Sequence, residues 1–175
     1  MALKTVEKTT SLIFESMLLK RLPRTGWLHA GAPEESIGAH SFGAAVISLA
    51  LARMEGLSQE EEHALLRSAL LHDMHELRVG DQNGITRQYT KSDEKRAERD
   101  LFFGTAFSPD LSLLRSERLH MLSKDADKID LLLMAIMNAN AGNNNMAPFI
   151  KSARSQIRSK SGKKLARLAL ARLKK

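Results

Sequence analysis

From Arg118 to Ala141 the sequence keeps one apolar stripe, Leu119, Leu122, Ala126, Ile129, Leu133 and Ile136, at three- and four-residue spacing. A stripe this long is buried only when other elements lie alongside it, so the pattern predicts the central helix of a bundle. Nowhere does the chain alternate with the two-residue period of a strand, and the expected fold is an all-α, single-domain helical bundle. With 175 residues and 43% apolar content, one domain with a real core is expected. Aromatics are only 5%, so Leu, Ala, Ile and Met must fill that core. There is no cysteine, which excludes disulfides and thiolate metal sites.

The other helices follow from periodicity and caps. Thr5–Leu22 carries Val6, Ile13, Phe14, Met17 and Leu18 on one face and is stopped by Pro23. Ser36 caps a helix over Gly38–Met54, with Phe42, Ala45, Val46, Leu49 and Ala50 as its expected buried stripe. Ser58 and Glu61 form a capping box opening a helix that ends near Leu71. Leu77–Lys91 reads as a loop, 92–103 as a charged helix, and Ser108-Pro109-Asp110 as the start of a short one. Gly142 closes the long helix, and 147–159 and 162–173 are the last two.

Charge is divided unevenly. The net charge is +7, yet residues 141–175 hold 10 Lys and Arg and no acid. Residues 151–175 are therefore expected to form a basic helical extension, packed on or trailing from a domain over 1–150. A solvated face is its ordinary reading and nucleic-acid binding the minority one. Charges at Lys4, Glu7, Lys8 and Glu15 break up any signal peptide, and no apolar run reaches the ~20 residues of a membrane span. A cytoplasmic protein without a membrane partner is expected.

The chemistry gathers where the apolar run Ala64–Leu71 meets His72-Asp73-Met74-His75-Glu76, followed by Gly80-Asp81. An imidazole and a carboxylate side by side suit a divalent cation of hard or borderline character. Neighbouring side chains diverge by about 100° around a helix, so the two converge on one ion only where the helix is ending. A His-Asp pair by itself is usually an ordinary cap. Five ionisable residues at the edge of a core are more telling, because charge there is costly unless paired or metal-bound. His40, in the first turn of its helix, is a candidate further ligand, though such a histidine is usually a core-edge residue. Asp125, Asp127 and Asp130, flanked by Lys124 and Lys128, read as an exposed charged patch from which one carboxylate can point inward. Trp27 is either a plug beneath its loop or, with Arg24, a clamp for a phosphate and a base.

Taken together, Arg24-Thr25-Gly26-Trp27, Glu35 to Ser41 around His40, His72 to Glu76 with Asp81, Lys124-Asp125-Ala126-Asp127 and Ala141-Gly142-Asn143-Asn144 resemble the HD-domain metal-dependent phosphohydrolases, and among them the 5′-deoxynucleotidases. The resemblance covers roughly residues 5–150. It implies a divalent ion (Mn, Co, Fe, Ni, Zn or Mg) held by His40, His72, Asp73 and Asp127, the last selected because it follows a Lys by three positions. It implies Glu76 as acid/base beside Asp73, Arg24 on the phosphate, Asp81 on the sugar hydroxyls and Trp27 on sugar or base. The implied reaction is hydrolysis of deoxynucleoside 5′-monophosphates. The alternatives are another nucleotide phosphoester, or a non-catalytic nucleotide- or nucleic-acid-binding helical protein. The family also implies a homodimer, with Phe102-Phe103 as a candidate contact. One departure stands out: Ala39 occupies a position that is usually acidic in this branch, which leaves the adjacent ligand without an evident partner.

Overall fold

The computed structural model describes residues 2–108, 114 and 116–174. Its helices are α1 (Leu3–Ser16), α2 (Thr25–His29), α3 (Ile37–Glu55), α4 (Gln59–Leu71), α5 (Glu76–Val79), α6 (Glu94–Phe102), α7 (Glu117–Asn140), α8 (Ala147–Gln156) and α9 (Lys160–Leu170). Short 3-10 turns cover Met17–Lys20, Thr86–Gln88 and Asn144–Met146. Among the described residues there is no strand, only an isolated antiparallel bridge between Pro23 and Ser36. The short helix expected from Ser108-Pro109-Asp110 falls on residues 109–113, outside the described ones.

At the centre, α3 packs against α4 and α7, and α7 against α8 and α9. The main core joins Leu51, Leu65, Leu122, Ile129 and Leu132 to Ala153, Ile157 and Ala166 of the last two helices. Residues 151–170 are thus packed on the bundle, not trailing from it. Leu132, fully buried, takes the place in the α7 stripe expected of Leu133, which is 37% exposed.

Two stripes differ from expectation. In α3 the buried side chains are Ile37, His40, Ser41, Ala44, Ala45, Ile47, Ser48, Leu51 and Ala52. Phe42, Val46 and Leu49 face outward. The helix is apolar nearly all round, so periodicity does not mark its inner face; the small and polar side chains lie inside because α4 and α7 approach closely there. In α1, Leu12 is buried, while Val6, Ile13 and Phe14 are exposed, as is Met17 in the turn that follows. α3 is also long and apolar enough by composition to cross a membrane, contrary to the sequence reading. Half of it is buried, however, and it is the core helix of this bundle.

Candidate active site

Local signals bring the site residues together. The Ser58/Glu61 capping box forms and starts α4, which ends at Leu71, with its C-cap at His72. The turn that follows, with Met74 N–H donating to the Leu71 carbonyl at 3.1 Å, lets His72 and Asp73 face the same space. The expected loop over Leu77–Lys91 instead begins with the short helix α5, because Glu76–Val79 continues that turn. Ser36 caps α3 and puts His40 one turn inside it.

Both histidines have Nδ1 engaged from behind and turn Nε2 toward one space. Nδ1 of His72 lies 2.9 Å from the Ala69 carbonyl, which fixes the proton on that nitrogen. Nδ1 of His40 lies 2.6 Å from the Asp130 carboxylate. The Nε2 atoms of both are buried without a hydrogen-bond partner. His40 Nε2 is 3.6 Å from Asp73 Oδ2 and 3.4 Å from Asp127 Oδ1, and His72 Nε2 is 3.2 Å from Asp73 Oδ2. Ligand atoms of His40, His72 and Asp73 lie within 4.8 Å of one another. Two bare imidazole nitrogens facing carboxylate oxygens suit a divalent ion of borderline or hard character. His40, His72 and Asp73 would hold it, with Asp127 beside them.

The three aspartates of α7 are not an exposed patch. Asp125 is fully buried and accepts the backbone N–H groups of Arg158 and Ser159, both at 2.8 Å. Asp127 faces the histidines, and Asp130, 6% exposed, orients His40. Asp130 therefore supplies the carboxylate that Ala39 does not. Gly43 makes this possible: a Cβ there would overlap the Asp130 carboxylate. The available sequence signal was the spacing, since Asp127 and Asp130 lie three apart on one face of α7 and Gly43 lies three after His40.

The donor set opens onto a cavity of about 330 Å³ whose wall includes Arg24, Asp73, Glu76, Asp81, Asp127 and Phe149. Arg24 is pinned at the bridge, its N–H donating to the Glu35 carbonyl at 2.8 Å. Its Nη1, buried and without a hydrogen bond, lies 3.8 Å from Glu35 and 3.7 Å from Asp130. Trp27 is 2% exposed, donates its indole N–H to Glu35 at 2.6 Å and stacks on Phe149 at 5.1 Å. It thus forms the floor of the cavity, and Phe149, which sequence reasoning missed, is the more accessible ring. Asp81 Oδ2 accepts the Thr25 N–H at 2.5 Å and its hydroxyl at 2.6 Å. His75 turns to the His72 carbonyl and belongs to the turn.

Electrostatics divide the carboxylates. Burial pushes Glu76 up to about 8, with Asp73 and Asp81 adding to it. Asp73 is also buried, but its close polar contact and charge interaction with His72 outweigh that and hold it at about 2. Burial lowers His40, but the Asp127 and Asp130 carboxylates prevail and raise it to about 9. Asp127 lies well below the usual carboxylate range, because His40 and Lys128 outweigh its burial.

A linked pH effect is expected for the metal-free protein. His40 contributes its full stability below pH 6.5 and loses it as pH rises to about 9. Glu76 is kept neutral by the fold, so ionising it between its ordinary 4.5 and about 8 also costs stability. The Tm should therefore fall from pH 6 to 8.5 in chelator. Because a ligand histidine must give up its proton, the rise in Tm produced by Mn²⁺ should grow over the same interval. An increment independent of pH would contradict this assignment.

The HD domain family model matches residues 17–170. The chain is an HD-domain protein. The sequence motifs and the bundle belong to one family, whose members are metal-dependent phosphohydrolases. The match runs through α8 and all of α9, so the basic segment lies largely within the family region. The protein resembles the solved PH0347 protein from Pyrococcus horikoshii, with 30% identity, 95% of this chain and 97% of that one covered, and a TM-score of 0.73. A structural-genomics crystal structure, APC5600, has 28% identity over 96% of both chains and a TM-score of 0.76. The cyanophage S-2L HD phosphohydrolase DatZ, solved with dA and one catalytic Zn²⁺, shares the fold at 14% identity, covering 91% of this chain and 94% of its own, with a TM-score of 0.62. No curated protein matches the chain.

Proposed function

We propose that this HD domain is a phosphomonoesterase that hydrolyses deoxynucleoside 5′-monophosphates to nucleoside and phosphate. The observation that carries the reading is one cavity in which Asp73 and Asp127, flanking the bare His40 nitrogen, share a wall with Arg24. A divalent ion held by His40, His72 and Asp73 would lower the pKa of a bound water and neutralise phosphate charge. The planar fork of Arg24 receives phosphate oxygens, and Glu35 and Asp130 hold it in place. Glu76, protonated up to about pH 8 and with Oε2 unpartnered, faces the same cavity. It gives its proton to the leaving sugar oxygen as the P–O ester bond breaks and the water oxygen joins phosphorus. Asp81 has one oxygen committed to Thr25 and offers the other to a sugar hydroxyl. Phe149 and Trp27 supply an apolar surface for the base. The deoxy preference rests on the motif resemblance, and the fold shared with DatZ, which was solved with dA, agrees with it.

The test is phosphate release from a panel of ribo- and deoxyribonucleoside monophosphates with Mn²⁺ or Co²⁺, wild type beside Asp73→Ala. Release confined to wild type and faster for the deoxy series supports the reading; no release from metal-loaded, folded protein overturns it. Glu76→Gln should lower kcat by about 10²–10⁴ while keeping the metal-induced rise in Tm. Equal loss of metal binding in that variant would make Glu76 a ligand instead.

The non-catalytic alternative is motivated by the acid-free C-terminal segment, with Ala39 consistent with it; the Asp130 carboxylate 2.6 Å from His40 Nδ1 weakens the Ala39 argument and leaves the basic segment as its support. The same reading includes a homodimer. Phe102 belongs to the core, so of the expected pair only Phe103 is at the surface. Phe14 and Leu18, near the end of α1, and Phe42 and Val46 of α3 are the exposed apolar side chains that a second copy would cover. Sedimentation equilibrium reads this directly, and a monomer at micromolar concentration rejects it.

A further inference from the structure

Lys128 lines the active-site cavity and also a second one, of about 670 Å³, on its far side. The shared position matters because Lys128 Nζ pairs with Asp127 at 2.9 Å, beside the donor set. The second cavity continues along α7 to Lys124, one turn earlier and about 6 Å along the axis, and is closed on the α9 side by Arg158. Arg158 is rooted there, because its backbone N–H is held by buried Asp125. Both Asp125 oxygens are taken by backbone N–H groups, so it offers nothing to a ligand. Neither the Lys124 nor the Arg158 side chain has a carboxylate partner among the described residues. Glu117 also lines this concavity, but Lys124, Lys128, Arg118 and Arg158 outnumber the carboxylates there, and the surplus of cations beside a hydrolytic centre forms a site for anionic charge on a molecule already held at that centre.

We infer that the groove of Lys124 and Arg158 beyond Lys128 binds a second phosphate of the substrate, so that the enzyme acts on a nucleotide phosphorylated at more than the scissile position. This rests on the proposed phosphohydrolase activity. Lys128 lines both cavities and Lys124 stands one helical turn before it, so the second phosphate would follow α7 away from the first. It could belong to a free bisphosphorylated nucleotide or to the next link of a short single strand. The chemistry recognised is the same in both.

The experiment compares wild type with the double variant Lys124→Ala/Arg158→Ala, both Mn²⁺-loaded. The substrates are a deoxynucleoside 5′-monophosphate, the matching 3′,5′-bisphosphate and a 5′-phosphorylated dinucleotide. Wild type should favour one or both doubly charged substrates in kcat/KM. The variant should lose about tenfold or more on them through KM, with the monophosphate unchanged within twofold and a shallower salt dependence. Which of the two substrates suffers identifies the source of the second phosphate. A wild type that prefers the monophosphate, or a variant that loses equally on all three, overturns the inference while leaving the hydrolase reading intact. If wild type hydrolyses none, the hydrolase reading fails, and the inference, which rests on it, fails too.

Discussion

An Asp127→Ala variant is expected to release phosphate at least about a thousandfold more slowly than wild type, because it removes a carboxylate facing both the donor set and the substrate cavity. Asp73→Ala should match it, since Asp73 lies between the two imidazoles. Asp130→Ala is expected to behave differently. Its carboxylate touches His40 at Nδ1, away from the cavity-facing nitrogen, so its loss frees the ring to rotate without deleting a donor. The cost through the metal should be about 10- to 100-fold and recovered by raising the metal concentration, while Arg24, 3.7 Å from Asp130, loses one of its two anchors and KM rises. Rates measured across a metal titration separate the two behaviours. Failure of excess metal to rescue Asp130→Ala, or full rescue of Asp127→Ala, would reverse the assigned roles.

The second large effect is on stability. Asp125 is buried, and its two oxygens accept the backbone N–H groups that precede α9. Asp125→Ala strands both donors in the interior, an expected loss of about 3–5 kcal/mol in urea unfolding. Asp125→Asn keeps one acceptor and should lose less. Gly162→Ala should act in the same direction, because a Cβ there would lie 2.6 Å from Asp125 Oδ2. The metal-induced rise in Tm should survive in Asp125→Asn, since Asp127 faces elsewhere. If Asp125→Ala matched wild type in the unfolding midpoint, the C-terminal helices would have to be held by their apolar contacts alone.

Much of the architecture was readable from residue order. The capping box at Ser58, the cap at Ser36 and the α7 stripe are local signals, and each appears in the fold. The α3 stripe was misread because an almost wholly apolar helix offers no contrast from which to choose a face. Which face turns inward is decided by where a small side chain lets α4 and α7 approach, and that is tertiary information. Asp125 and Asp130 of α7 were misread for a related reason, while Asp127 was singled out only through the motif resemblance. In sequence, three acids among lysines look solvated, and only the partners reveal the difference: the N–H groups of Arg158 and Ser159 for Asp125, and an imidazole for Asp130. Those partners lie on elements 33, 34 and 90 positions away, beyond any local pattern. Glu35 stood in the motif around His40 but was given no role, and Phe149 carries no motif; each acts through Arg24 or Trp27.

The bridge between Pro23 and Ser36 has a consequence for substrate capture. It closes the neck of the segment carrying Arg24, with the Ile37 N–H donating to the Leu22 carbonyl at 2.9 Å on one side and Arg24 to Glu35 on the other. Thr25 is then moored to Asp81 across the cavity. A long, flexible cation ordinarily surrenders much of its rotational freedom when it meets an anion. Here that surrender happens during folding, before any phosphate arrives, so an incoming substrate meets an arginine that is already aimed. Cutting the Thr25–Asp81 mooring would leave the charge in place and make it slower and looser in its grip.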